Sequence, residues 1–309
     1  MKISVVEYTG KKPGAKSLFF KSAAEKNSQL ARQRTVEEHR ENMLKLAELR
    51  PVLPGLCQQD VLVEGIPCQW VYKEGALSMP VILYLHGGSW AFGNLRTARP
   101  VAGMLAELTG CRVLTVQYRL APENPFPAAL EDCFKVYGNL LLRGIPGHKL
   151  AIFGDSAGGN LSLALIHRLK ELEIALPQAL ALASPVPDLT VESALWKSGQ
   201  DLLFHLYDGQ PDNIFDRYVQ GRDKTDPLIS PVFGDLSGFP PTLIHVGGDE
   251  PLAEDCAAFA RRAAVAGSEV AVKVWKEMFH DFSIVGVTLK ESRDSMREMS
   301  EFLCDCLHV

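Results

Sequence analysis

The stretch Gly154-Asp155-Ser156-Ala157-Gly158 sets a hydroxyl among small residues. The apolar run "KLAIF" leads into it and the amphipathic stretch "NLSLALIHRL" leads away. A strand that turns sharply into a helix needs small flanking residues, because bulkier side chains would collide there. Such a turn leaves the serine hydroxyl exposed at the helix start, where the helix dipole favours developing negative charge. The chemistry this suits is nucleophilic attack. A serine in the same place could also be a polar helix cap.

A serine hydroxyl is a poor nucleophile without a base. Of the eight histidines, His280 in "EMFHDF" follows the last apolar run of the chain. His245 lies inside "TLIHV" and reads as a packed core residue, whereas His86 opens a glycine turn, where an orienting role suits it. His39, His148, His167, His205 and His308 read as surface or packing positions. An acid to orient His280 is expected after the penultimate strand, and "HVGGDEPLAED" supplies Asp249, Glu250, Glu254 and Asp255 there. Upstream, "LYLHGGSWAFG" follows another apolar run. Its glycines Gly87 and Gly88 free the backbone to turn N–H groups outward, as a site that stabilises an oxyanion requires. The same glycines could simply connect a strand to a helix. No H-E-x-x-H or similar ligand spacing is present, and the chemistry calls for no metal.

These residues need a scaffold. Short apolar runs at 81–86, 112–118, 149–154, 179–184, 242–248 and 269–275 take turns with helical patterns at about 97–109, 127–143, 157–173 and 252–266. That alternation predicts an α/β fold with a mostly parallel sheet covered on both faces. "DVLVEGIPCQWVYKEG" alternates as a β-hairpin does, and residues 16–50 carry one or two amphipathic helices. Residues 188–225 lack strand signals and read as a helical insertion. The organisation expected is N-terminal cap helices over 1–54 and a catalytic domain over 55–309, with the insertion completing a cap at the ends of the strands. The aromatics Trp196, Phe204, Tyr207, Phe215 and Tyr218 are expected to form its core.

The 309 residues are 47% hydrophobic and 22% charged, with a net charge of −5, which argues against a nucleic-acid groove. No run approaches the ~18 apolar residues of a membrane span, so no membrane insertion is expected. The seven cysteines are scattered and odd in number, which suits a reducing, cytoplasmic setting.

Taken in order, "HGGSW", "YRLAPENPFPAALED", "GDSAGGN", "SPVPDLT", "DPLISPVFGDLSGFPPTLI" and "MFHDF" resemble the motifs of the hormone-sensitive lipase family, the bacterial family IV esterases. The resemblance runs through nearly the whole chain from about residue 55. It implies an α/β-hydrolase with an eight-stranded sheet, a helical cap, and hydrolysis of short-chain acyl esters through a serine acyl-enzyme without a cofactor. Residue by residue it implies Ser156 as nucleophile and His280 as base. The oxyanion would rest on the N–H groups of Gly88, Ser89 and Ala157, with Gly87 in the same turn. Three positions depart from the family pattern. Ser89 replaces the third glycine, Glu250-Pro251-Leu252-Ala253-Glu254 replaces Asp-Pro-Leu-x-Asp, and Asp281 stands where glycine is common. The register of Pro251-Leu252 puts Glu250 on the acid position, with Asp249 as the alternative.

The partner implied is a small-molecule ester. A homodimer through the last strand, "EVAVKVW", is a further expectation, because an edge strand invites pairing. A same-fold hydrolase of amides, lactones or carbamates shares the tetrahedral intermediate and stays open. A non-catalytic small-molecule receptor shares the fold, but an intact Ser156 and His280 count against it.

Overall fold

Residues with apolar side chains on both faces of a strand need cover on both sides, and the chain supplies it. The computed structural model describes residues 6–9, 14–31, 34–49, 53–192, 214–286 and 288–309. Nine strands form one sheet in the order β1-β9-β8-β7-β6-β4-β5-β3-β2. They are β1 (Val6–Thr9), β2 (Leu56–Val63), β3 (Ile66–Lys73), β4 (Val81–Leu85), β5 (Arg112–Val116), β6 (Leu150–Asp155), β7 (Ala179–Ala183), β8 (Thr242–Gly247) and β9 (Val270–Trp275). The hairpin β2–β3 and the β3–β5 pair are antiparallel; the other pairings are parallel. Every residue of β4, β6, β7 and β8 is buried. Successive side chains of a strand point to opposite faces. Leu83 and Leu85 accordingly join one core while Ile82 and Tyr84 join the other.

Among the described residues the helices are α1 (Ala15–Ala31), α2 (Val36–Glu48), α3 (Leu95–Thr109), α4 (Ala128–Leu142), α5 (Ala157–Glu171), α6 (Ile214–Val219), α7 (Leu252–Val265) and α8 (Lys290–Leu307). Residues of α4, α5 and α7 fill one core, and residues of α3 and α8 fill the other. Helix α8 was not among the expected elements, although Met296, Met299, Leu303 and Leu307 repeat at helical spacing and are all buried. No helix among the described residues is long and apolar enough to cross a membrane.

Two expectations are corrected. The sheet has nine strands rather than eight, because Val6–Thr9 runs parallel to β9 in the register Val6↔Val272 to Thr9↔Trp275. The amino-terminal segment is therefore not purely helical. Its valine, tyrosine and threonine favour a pleated strand, but four residues leave too short a pattern to read. The second correction follows from the first. The strand "EVAVKVW" is not an edge, since β1 covers it, and the argument for pairing a second copy there falls.

Helix α2 packs on the turn after β4, with Val36 buried beside Ala91 and Phe92, and Lys21 of α1 pairs with Asp249 after β8. Thr35 caps α2 through a reciprocal pair with Glu38. Of the expected cap aromatics, Trp196, Phe204 and Tyr207 lie outside the described residues. Phe215 and Tyr218 are buried against Trp90, with Tyr218 stacked on it at a ring-centroid distance of 4.5 Å.

Candidate active site

Strand β6 ends at Asp155 and α5 begins at Ala157, so Ser156 is the single residue of the turn. Its φ of 50° and ψ of −117° lie in a strained region for a residue with a Cβ. The small neighbours have a specific cause. A Cβ at Gly158 would collide with the Leu85 carbonyl of β4. The turn can therefore nest against the adjacent strand only if that residue is glycine.

The Ser156 Oγ lies 3.0 Å from His280 Nε2. On the far side of the same ring, His280 Nδ1 lies 2.5 Å from Glu250 Oε2. Glu250 is 1% exposed, and a buried carboxylate needs its lone pairs filled. Its other oxygen accepts from the Gly247 amide and from the Ser184 hydroxyl at 2.7 Å. Ser184, at the end of β7 with φ of 43°, also accepts from the Asp281 amide at 3.2 Å. One hydroxyl thus ties the acid loop to the histidine loop. Asp249 goes elsewhere, pairing with Lys21 of α1. Asp281 places Oδ2 3.5 Å from His280 Nε2, so a second carboxylate stands beside the imidazole.

The glycine turn after β4 lies beside Ser156. Gly88 has φ of 117°, and Ser89 and Trp90 follow in the left-handed region at 53° and 56°. The turn closes on itself, with the Ala91 and Phe92 amides donating to the Gly88 carbonyl at 3.0 and 2.8 Å. Among the described residues the amides of Gly88 and Ser89 donate to no protein acceptor. Gly87 differs from the expectation. Its N–H donates to Asp155 Oδ2 at 2.9 Å, so it is not turned towards Ser156 as a free candidate donor.

Asp155, which lines the cleft beside Ser156, is a residue that sequence reasoning passed over. It is buried, and it accepts from the Tyr84 hydroxyl at 2.7 Å as well as from Gly87. Burial pushes its carboxyl up to about 6, against the pull of those two donors. The available signal was its place inside the serine motif, since a buried carboxylate must have partners. His86 does shape the turn. Its Nδ1 donates to the Gly87 carbonyl at 2.8 Å and its ring stacks on Tyr118 at 4.4 Å. Burial lowers it to about 4, so it stays neutral. His245 is buried in β8, as expected, with Nδ1 2.7 Å from Ser295 Oγ.

These groups open into a cleft of about 230 Å³. Ser89, Ser156, His280 and Asp281 line it from the sheet side, and Met43, Leu46 and Ala47 of α2 line it from above. Among the described residues no group of three or more histidine, cysteine or carboxylate side chains could hold a metal ion.

The profile of the alpha/beta hydrolase fold family matches residues 82–284. An acetyl-hydrolase of Streptomyces hygroscopicus is similar at 38% identity over 252 residues, which is 81% of this chain and 83% of that protein. An esterase of Acinetobacter venetianus is 36% identical over 265 residues, covering 82% of this chain and 87% of its own. The crystal structure of an esterase from the bacterial hormone-sensitive lipase family superposes with a TM-score of 0.87 at 31% identity. That match covers 95% of this chain and 99% of the other.

Proposed function

The chain belongs to the hormone-sensitive lipase family of α/β-hydrolases, and we propose that it is a serine carboxylesterase that cleaves short-chain acyl esters through an acyl-enzyme. The observation that carries the reading is the continuous relay from Ser156 Oγ through His280 to Glu250, with contacts of 3.0 and 2.5 Å.

In this reading His280 Nε2 takes the Ser156 proton as Oγ attacks the ester carbonyl. Glu250 accepts the Nδ1–H, which fixes the tautomer and stabilises the imidazolium. The carbonyl oxygen becomes an oxyanion and is received by the amides of Gly88, Ser89 and Ala157. These donors are held in place before the reaction, so they need no reorganisation as charge develops. His280 then returns its proton to the departing alcohol. Water repeats the cycle on the acyl-enzyme and releases the acid.

The small cleft and the α2 side chains above it support a preference for short acyl groups, acetyl to about hexanoyl. The seven free thiols support a reducing, cytoplasmic setting. The test is a panel of p-nitrophenyl esters of increasing acyl length. Turnover is expected to be highest on the short chains, and higher activity on palmitoyl than on butyryl esters would overturn the short-chain reading. No hydrolysis of any ester would overturn the reading as a whole.

A further inference from the structure

Helix α2 does more than cover the cleft. Arg40 projects from it onto the turn that carries the Gly88 and Ser89 amides. Its Nε donates to the Ala91 carbonyl at 2.8 Å, two residues beyond Ser89. Its Nη2 donates to the Ala121 carbonyl at 3.1 Å. The fork closes on Glu123, with contacts of 2.7 and 2.8 Å to its two oxygens. Ala121 is itself bound to the same turn, because its amide donates to the Trp90 carbonyl at 2.8 Å. One guanidinium therefore holds both the turn and the segment that backs it.

The turn needs such a hold. Ser89 and Trp90 are consecutive residues with side chains in the left-handed region, a conformation that persists only where the surroundings enforce it. The family's glycine at the first of these positions would carry no such cost. Packing adds to the hydrogen bonds. Val36 of α2 is buried with Ala91 and Phe92, Met43 packs on the same cluster, and the His39 ring lies 4.9 Å from Phe92. Met43, Leu46 and Ala47 follow Arg40 at helical spacing and line the cleft. Seating α2 thus closes the cleft and sets the turn in one step.

We propose that Arg40 is a positioning residue for the oxyanion hole, coupling the docking of α2 to the placement of the Gly88 and Ser89 amides. It touches no reacting atom. Its effect passes through the Ala91 and Ala121 carbonyls to the turn, so it is felt when negative charge forms on the substrate rather than when the substrate binds. The inference rests on the serine-esterase reading of the same site.

The experiment compares Arg40→Lys, Arg40→Ala and Glu123→Gln with the wild type on p-nitrophenyl butyrate, each checked for fold by circular dichroism. Lysine keeps the charge but cannot fork across two carbonyls and a carboxylate. Both Arg40 variants are expected to lose at least about tenfold in kcat with KM within about threefold, because the interaction weakened belongs to the transition state. Glu123→Gln keeps the guanidinium and is expected to lose less, in the same direction. A trifluoromethyl ketone, whose adduct with Ser156 carries an oxyanion, is expected to bind each variant more weakly in proportion to the loss of kcat. Added methylguanidinium is expected to restore part of the turnover of Arg40→Ala. A rise in KM at unchanged kcat would show that α2 only covers the cleft and would overturn the proposal, as would unaltered ketone binding. A wild type inert to the ester would overturn the serine-esterase reading itself, whereas an active wild type with unaffected Arg40 variants overturns this inference alone.

Discussion

Glu250 and Asp249 are neighbours in the chain whose carboxylates go to opposite partners. Glu250 Oε2 lies 2.5 Å from His280 Nδ1, whereas Asp249 pairs with Lys21 of α1. Burial separates them further, since the Glu250 side chain is 1% exposed and that of Asp249 is 34% exposed. Glu250→Gln keeps the shape but loses the charge and presents the wrong tautomer partner. It is expected to lower kcat by about ten-thousandfold, the scale seen when the orienting acid of a serine-protease triad is neutralised. Asp249→Asn is expected to stay within about threefold, since an exposed pair contributes little. Steady-state kinetics on p-nitrophenyl butyrate separate the two, and the reverse ranking would make Asp249 the acid.

Ser156 is expected to be the one serine modified by a stoichiometric organophosphate. The basis is its contact with His280 at 3.0 Å and its place at the start of α5. Peptide mass spectrometry locates the adduct. Loss of activity with the label on another serine and Ser156 unmodified would sink the mechanism.

What could be read from the sequence was local. The runs that became β4 to β9 each carry their own apolar signal within five or six residues, and Ser156, Glu250 and His280 each sit in a short motif. Relationships between distant segments left no such trace. Arg40 meets Ala91 across 51 positions, Ser184 meets Glu250 across 66, and Gly87 meets Asp155 across 68. The motif alone therefore groups Gly87 with the oxyanion donors, although a partner from another strand end takes up its N–H. Strand β1 escaped for the related reason that four residues become a strand only where β9 offers an edge.

Asp281 is expected to set a charge preference. Its carboxylate stands 3.5 Å from His280 Nε2 and lines the cleft together with Asp155. An ester that brings its own carboxylate into that cleft meets repulsion in a poorly solvated place. The wild type is expected to favour p-nitrophenyl butyrate over mono-p-nitrophenyl succinate. Asp281→Gly is expected to narrow the ratio of their kcat/KM values by about tenfold. Glycine suits the backbone, since φ there is 56°. A ratio indifferent to the substitution would remove Asp281 from substrate selection.

Stability is expected to fall on mild acidification, and the sign follows from the buried histidines His86, His245 and His167, each held below its ordinary value by burial. Burial lowers His86 from 6.5 to about 4, and burial with Lys273 nearby lowers His245 from 6.5 to about 3. The unfolded chain takes up protons on both as pH drops through 6.5, while the folded protein does not. Their contribution is therefore complete above pH 6.5 and is lost as pH falls towards 4 and 3. The loss is roughly 1.4 kcal/mol per pH unit for each histidine. Asp155 works against them, because its carboxyl is raised from 3.8 to about 6 and the fold holds that proton more tightly than the unfolded chain does. Between about pH 6 and 4 one carboxyl thus offsets about one histidine, and the net slope keeps the sign of the remaining histidines. Urea denaturation followed by tryptophan fluorescence from pH 7 to pH 4.5 measures it. His245→Asn keeps a group for the Ser295 contact at Nδ1 but cannot titrate, so it is expected to flatten the slope while lowering stability at pH 7. A variant that loses stability on acidification as steeply as the wild type would show that His245 does not carry the effect.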